Sequence, residues 1–134
     1  MLTNSKLQTI IWTADIGKAE HFYTHILGLT YVRKSHGALV YCVNGGELRV
    51  SPVPTTSPTE HTVLGFSVND IQTVVSQLEA QGITLERFPK FPHNENGILI
   101  IPGGDQVAWF RDLDGNLLSV VEYATLDESP PSPA

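Results

Sequence analysis

The feature that most constrains this chain is that its plan occurs twice. Leu7 to Thr13 is apolar and β-branched and ends in Ala14-Asp15-Ile16; Thr62 to Val68 repeats the pattern and ends in Asn69-Asp70-Ile71, 55 residues further on. In each copy the Asp is placed to cap a helix, its carboxylate oxygen accepting from the free N–H groups of the first turn. Ile16, Ala19, Phe22, Tyr23 and Ile26 then fall on one helical face with Gly28 as the stop, and Ile71, Val74, Val75 and Leu78 do the same with Gly82 as the stop. A short strand is expected to begin at Leu29 and at Ile83. Each copy closes with a hairpin: Ala38 to Val43 turns at Asn44-Gly45-Gly46 into Leu48-Arg49-Val50, and Val107 to Phe110 turns at Asp114-Gly115-Asn116 into Leu117 to Val121. The plan is βαβββ, written twice, and each copy is too small to be a comfortable domain alone.

These patterns predict a single domain over residues 1–123, with module one at 7–52, a Pro/Ser/Thr-rich linker at 53–61 and module two at 62–123. Residues 124–134 carry acids, Ser and prolines with nothing to bury, and are expected to form a disordered tail. The second copy departs from the first in a longer polar excursion, Phe88 to Gly97, followed by Ile98 to Ile101 and the Pro102-Gly103-Gly104 turn. Inserted loops on a scaffold tend to carry binding groups, so this segment is a candidate pocket wall.

Composition removes several functions. Eight Lys and Arg against 14 Asp and Glu give a formal charge of −6 with no basic cluster, so a nucleic-acid partner has no electrostatic footprint. One cysteine, Cys42, allows no intramolecular disulfide and no zinc-ribbon spacing, which points to a reducing compartment. The N-terminal residues lack a signal-peptide pattern and no run is long and apolar enough for a membrane span, so the expectation is a soluble cytoplasmic protein.

With its paired βαβββ modules, the segment Asp15 to Leu29 (DIGKAEHFYTHILGL) after the first strand and Phe110 to Leu118 (FRDLDGNLL) before the last, the sequence resembles the vicinal oxygen chelate superfamily over about residues 7–123. That group contains glyoxalases, bleomycin-resistance proteins and extradiol dioxygenases. The resemblance implies an α+β fold in which two tandem βαβββ modules form a curved eight-stranded mixed sheet with a concave pocket, often completed across a homodimer. It does not imply one reaction.

In metal-dependent members, four inward-facing side chains from the first and last strand of each module hold a divalent ion. The matching positions here are Gln8, Arg49, Val63 and Ser119. An aliphatic, a hydroxyl and a permanent cation cannot replace imidazole or carboxylate ligands, so no metal cofactor is expected. The best metal alternative combines Gln8, Glu47 and His61, since Glu47 and His61 each lie two residues from a matching position and share its strand face.

What remains is a small-molecule pocket with a guanidinium in it. Arg49 points opposite to Leu48 and Val50, and its planar fork suits a carboxylate, phosphate or similar oxyanion. Trp12 shares the parity of Gln8 and Ile10 and can supply an aromatic wall; Trp109 can do so from the second module. Ser119 and His93 complete the candidate ligand-binding set of Gln8, Trp12, Arg49, Trp109, Ser119 and His93. The preferred reading is a metal-independent binder of a small polar or anionic organic ligand, with catalysis left open. The alternatives are a metal-dependent lyase, isomerase or dioxygenase using Gln8, Glu47 and His61, and a dimeric interaction protein with a vestigial pocket.

Three further signals point to ordinary structure. His21 and His25 stand i, i+4 on the first helix without a third ligand and fit a solvated face. Asp112-Leu113-Asp114-Gly115-Asn116 lacks the twelfth-position Glu of a calcium loop and reads as a hairpin turn. Cys42, mid-strand between Tyr41 and Val43, reads as a small packing residue.

Overall fold

The computed structural model describes residues 1–125, so the acidic, proline-rich tail lies almost entirely outside the described residues. The doubled plan is present: eight strands of mixed direction and two helical segments, in the order expected of tandem βαβββ modules. In module one the strands are β1 (Gln8–Thr13), β2 (Thr30–Ser35), β3 (Ala38–Val43) and β4 (Gly46–Pro52). In module two they are β5 (Thr62–Ser67), β6 (Leu99–Ile100), β7 (Gln106–Arg111) and β8 (Leu117–Glu122). Ladder hydrogen bonds run within two groups of four, β1-β4-β3-β2 and β5-β8-β7-β6, the same permutation in each. β1 pairs with β4 in parallel while β3 is antiparallel to both β4 and β2, which makes the first group mixed.

By packing, the described chain divides into two units, Met1–Leu64 with Arg111–Leu118, and Gly65–Phe110 with the residues from Ser119 on. The first unit places module one over its helix. Ile11 and Thr13 of β1, Leu39 and Tyr41 of β3, and Leu48 and Val50 of β4 are all buried, as are Ala19, Phe22 and Tyr23 of the helical segment. Burying side chains of this size contributes about 1.5–3 kcal/mol each. The alternation along β1 and β4 leaves their other face open: Gln8, Ile10 and Trp12 are exposed, and Glu47, Arg49 and Ser51 are part-exposed.

The first helix departs from the expected continuous α-helix. α1 covers only Ile16–Glu20, capped by Asp15 Oδ1 accepting from Lys18 N–H, and the chain continues as a π-helical turn over His21–Ile26. There Leu27 N–H reaches back to the Phe22 carbonyl, five residues earlier, at 2.9 Å. Both consecutive aromatics, Phe22 and Tyr23, are buried in this turn, and their rings meet edge to face at 5.0 Å.

The turn expected at Asp112 to Asn116 is a hairpin turn between β7 and β8, and it packs with the first unit rather than with its own module. Asp112 is buried and its carboxylate accepts from the Tyr23 hydroxyl at 2.6 Å, from Asn116 backbone N–H at 2.9 Å and side-chain amide at 2.8 Å, and from Asp114 N–H at 3.0 Å. Asp114 Oδ1 accepts from Ala14 N–H and the Thr56 hydroxyl, both at 2.8 Å, and Asn116 donates to the Trp12 carbonyl at 3.0 Å. The carboxylates that gave this segment its calcium-loop look are satisfied by protein donors.

In the second unit, α2 (Ile71–Ala80) is capped by Asp70 and buries Ile71, Val75 and Leu78 of the four residues expected on its apolar face, while Val74 is part-buried. The strand expected at Ile83 does not form. Only Glu86 makes a bridge, to Trp109, and β6 instead is the short Leu99–Ile100, paired with β7. The intervening Phe88 to Gly97 segment closes on its own hydrogen bonds, which replace a ladder.

Candidate functional site

The open face of the first sheet is ordered by register. The β3-β4 connection has two residues, Asn44 and Gly45, both with positive φ (47° and 86°), the geometry of a hairpin turn matched to strand twist. It pairs Val43 with Gly46, and hence Cys42 with Glu47 and Val40 with Arg49. Parallel pairing sets Gln8 beside Glu47, Ile10 beside Arg49 and Trp12 beside Ser51. On the far edge, Thr30, Arg33 and Ser35 pair with Cys42, Val40 and Ala38, across a bulge between Tyr31 and Arg33. Neighbouring strands lie about 4.8 Å apart, so these residues form short rows across one surface. One row is Gln8, Glu47, Cys42 and Thr30; the next is Ile10, Arg49, Val40 and Arg33.

Two arginines reach across β3 in opposite directions. Arg33 Nη2, from β2, pairs with Glu47 Oε1 on β4 at 3.3 Å. Arg49, from β4, donates through Nη2 to the Ser35 carbonyl on β2 at 2.8 Å and approaches its hydroxyl at 3.4 Å. Glu47 Oε2 also accepts from Gln8 Nε2 at 2.6 Å. The hydrogen bond from Gln8, and then the Arg33 bond and charge with a smaller pull from Arg49, hold the Glu47 carboxyl below the usual carboxylate range. Around the Gln8 end of this face is an open hollow of about 1060 Å³ lined by Lys6, Gln8, Arg33, Val40, Cys42 and Glu47.

Of the six residues expected to bind a ligand, Gln8, Trp12 and Arg49 share this face. Trp12 is 52 % exposed and stands at the opposite end of β1 from the hollow. Trp109, His93 and Ser119 belong to the second unit. Trp109 stacks with Phe91 at 6.2 Å and 16°, meets Phe88 at 5.1 Å, and meets His93 at 5.9 Å. Both ring nitrogens of His93 bond to backbone: Nε2 accepts from Phe88 N–H at 3.0 Å, and Nδ1 lies 2.9 Å from the Gly97 carbonyl. That pattern fixes the tautomer with the proton on Nδ1. Arg87 braces the same segment by donating to the carbonyls of Asn94 and Glu95 at 2.9 and 2.7 Å. Ser119 is buried on β8, its hydroxyl 3.1 Å from where a Cβ on Gly65 would stand.

The donors on the open face do not fit a divalent metal. Gln8 and Glu47 meet, but the contact is an amide donating to a carboxylate already engaged by Arg33. His61 lies at an exposed bend before β5, Val63 is aliphatic, and Arg49 is a cation. Among the described residues, no group of three or more His, Cys, Asp or Glu side chains is arranged to hold a metal ion.

Two residues of this face escaped the sequence reading. Cys42 is exposed and lines the hollow, so it is not the packing residue expected. The two-residue Asn44-Gly45 turn carried the signal, because it pairs Cys42 with Glu47 and so puts both on one face. Arg33 left no such signal, since β2 is exposed nearly throughout and its bulge breaks the alternation.

Solved structures share this architecture. A lactoylglutathione lyase from Agrobacterium tumefaciens aligns with a TM-score of 0.69 and 20% identity, over 89% of this chain and 93% of that one. A glyoxalase family protein from Enterococcus faecalis aligns at 0.68 and 23%, over 91% and 100%. A glyoxalase/bleomycin resistance protein/dioxygenase from Alicyclobacillus acidocaldarius aligns at 0.67 and 19%, over 91% and 93%. At these identities the likeness concerns the fold. A comparison with curated proteins found no match. The family model of the Glyoxalase/Bleomycin resistance protein/Dioxygenase superfamily matches residues 7–120, through both copies of the repeat, and the chain belongs to that superfamily.

Proposed function

We propose that the protein is a metal-independent binder of a small organic anion, taken on the open face of the module-one sheet. Arg49 is the anchor. Its guanidinium is part-buried on that face, and the acceptors it contacts, the Ser35 carbonyl and hydroxyl, carry no charge. This single observation carries the reading: a permanent cation held in place by neutral acceptors keeps its attraction for an oxyanion. Ile10 and Trp12, exposed beside it, offer apolar and aromatic surface to the rest of the ligand. The hollow at the Gln8 end gives room for a molecule of drug-like size.

Thermal denaturation and calorimetric titration against a panel of small acids test this, the panel to include benzoate, phenyl phosphate and short 2-oxo acids. The expected result is saturable stabilisation by at least one acid, reaching about 2.7 kcal/mol at a hundredfold excess over Kd. Arg49→Gln should abolish it and Arg49→Lys should restore part of it. The reading is overturned if no acid binds, or if Arg49→Gln binds as tightly as the natural chain.

A further inference from the structure

Resting on that reading of the open face, we infer that Glu47 is its specificity-determining residue: its carboxylate fills a second anion position from within, so the site takes acids with one negative group and rejects diacids.

The donors at the hollow end of the face converge on this one side chain. Gln8 Nε2 donates to Glu47 Oε2 at 2.6 Å, and Arg33 Nη2 pairs with Oε1 at 3.3 Å. An amide N–H and a guanidinium, reaching in from the two edge strands β1 and β2, are the partners an incoming carboxylate would seek, and a carboxylate of the protein on β4 already holds them. A ligand's anionic group placed there would have to compete with Glu47 for those donors and would meet its like charge. Two residues along β4 and on the same face, Arg49 donates to the neutral Ser35 carbonyl and hydroxyl, and its charge acts on Glu47 more weakly than that of Arg33. The face is therefore asymmetric: anion-accepting at Arg49, and neutral or negative at the row of Gln8, Glu47 and Cys42. Lys6 at the rim of the hollow is exposed and attracts any anion without choosing between one charge and two. A bound acid lies with its single oxyanion at Arg49, and any part of its body that extends along the face past Ile10 toward Cys42 is uncharged.

The Arg33–Glu47 pair is a surface pair, its side chains 54 % and 32 % exposed, so removing one member should not threaten the fold. Glu47→Gln keeps an oxygen for Gln8 and Arg33 but discards the charge, which leaves Arg33 as a second unneutralised cation. Specificity by an internal repulsive group predicts that a diacid gains most from this change.

The test is calorimetric titration at low salt of benzoate and its three dicarboxylic relatives, phthalate, isophthalate and terephthalate, with the natural chain, Glu47→Gln, and Glu47→Gln combined with Arg33→Gln. The natural chain should prefer benzoate. In Glu47→Gln the affinity ratio of the best diacid to benzoate should rise by about tenfold or more, and the added Arg33→Gln should return it toward the starting value. Glu47→Ala should shift the ratio in the same direction, and serves should the Gln variant not fold. A ratio that stays within about twofold, or a gain that survives loss of Arg33, overturns the assignment of Glu47 while leaving the anion site intact. If none of these acids binds the natural chain, the anion-site reading itself falls, an outcome distinct from an unchanged ratio.

Discussion

The Tyr23 hydroxyl donates to the buried Asp112 carboxylate over 2.6 Å, joining the π-helical turn of the first module to a hairpin turn 89 residues later in the chain. Burial, with the Asp112 charge and hydrogen bond adding to it, pushes the phenol far above its usual 10.0. The sign follows from linkage. A raised folded-state value means full stabilisation below the unfolded value and progressive loss as pH rises above about 10. Tyr23→Phe should flatten this alkaline loss and cost about 1–3 kcal/mol at neutral pH, because Asp112 loses a buried donor. Denaturant melts of both chains at pH 7 and pH 10.5 check it; equal alkaline slopes would refute the coupling.

Much of the fold was legible because its signals are local and periodic. Asp15 and Asp70 cap their helices, Asn44-Gly45 turns its hairpin, and Leu48 and Val50 are buried while Arg49 faces the other way. The π-helical turn was not legible, since Phe22, Tyr23 and Ile26 satisfy α and π spacing about equally well. Where a strand was expected at Ile83 there is a single bridge, because Ile83 N–H turns back to the Leu78 carbonyl of α2 at 3.0 Å while Glu86 N–H reaches the Trp109 carbonyl at 2.8 Å. At the candidate site, parity put Gln8 with Trp12 on β1 and set Arg49 opposite Leu48 and Val50 on β4, the family resemblance implied that these two faces coincide, and the parallel register pairs Gln8 with Glu47 and Ile10 with Arg49. Which partner each side chain takes depends on reach across strands: Arg49 passes over β3 to Ser35, a contact that no spacing in the sequence encodes.

Gly115 should tolerate replacement far less than Gly45, although their φ values are nearly equal at 83° and 86°. A Cβ at Gly115 would stand 2.9 Å from Pro58 Cα, a backbone atom, whereas one at Gly45 would meet nothing within 4 Å. Gly45→Ala should cost about 1–2 kcal/mol, the left-handed penalty alone. Gly115→Ala adds the clash and should cost about 2–4 kcal/mol. Chemical denaturation ranks the two, and similar midpoints would contradict this account.

His93 should act as a brace for the aromatic segment around Trp109. Its ring bridges Phe88 N–H and the Gly97 carbonyl, and no aliphatic side chain can do both. His93→Leu should cost about 1–3 kcal/mol, shift Trp109 emission to the red and admit protease cleavage between residues 88 and 97. Emission in the double variant His93→Leu, Trp12→Phe isolates Trp109. An unshifted spectrum with unchanged cleavage would mean that Phe88 and Phe91 hold the segment without it.

Acid should weaken the protein through Glu47 and Asp70. The Gln8 amide and Arg33 hold the first below its usual 4.5, and the Thr73 hydroxyl and N–H hold the second below its usual 3.8. Depressed folded-state values mean that the stabilisation is present above the unfolded values and lost as pH falls through the folded ones. Melting temperature should therefore decline below about pH 4.5, and Glu47→Gln and Asp70→Asn should each make that decline shallower. Asn retains the capping oxygen, so Asp70→Asn should fold normally at neutral pH. A decline as steep as that of the natural chain in both variants would place the acid sensitivity elsewhere.

Metal should neither load nor matter. On the open face the carboxylate nearest the expected ligand position is Glu47, and its oxygens are engaged by Gln8 and Arg33, with the Arg49 charge close by. A divalent ion there would have to displace two hydrogen-bonded donors and sit among cations. Protein incubated with Ni, Zn, Mn or Fe(II) and then desalted should retain far less than one equivalent, and a strong chelator should leave both the melting temperature and acid binding unchanged. The result that counts against this is near-stoichiometric metal that disappears in Glu47→Ala. Loss with Glu47 would mean that Gln8 and Glu47 exchange their mutual hydrogen bond for coordination, and the metal-free account of the site would have to be abandoned.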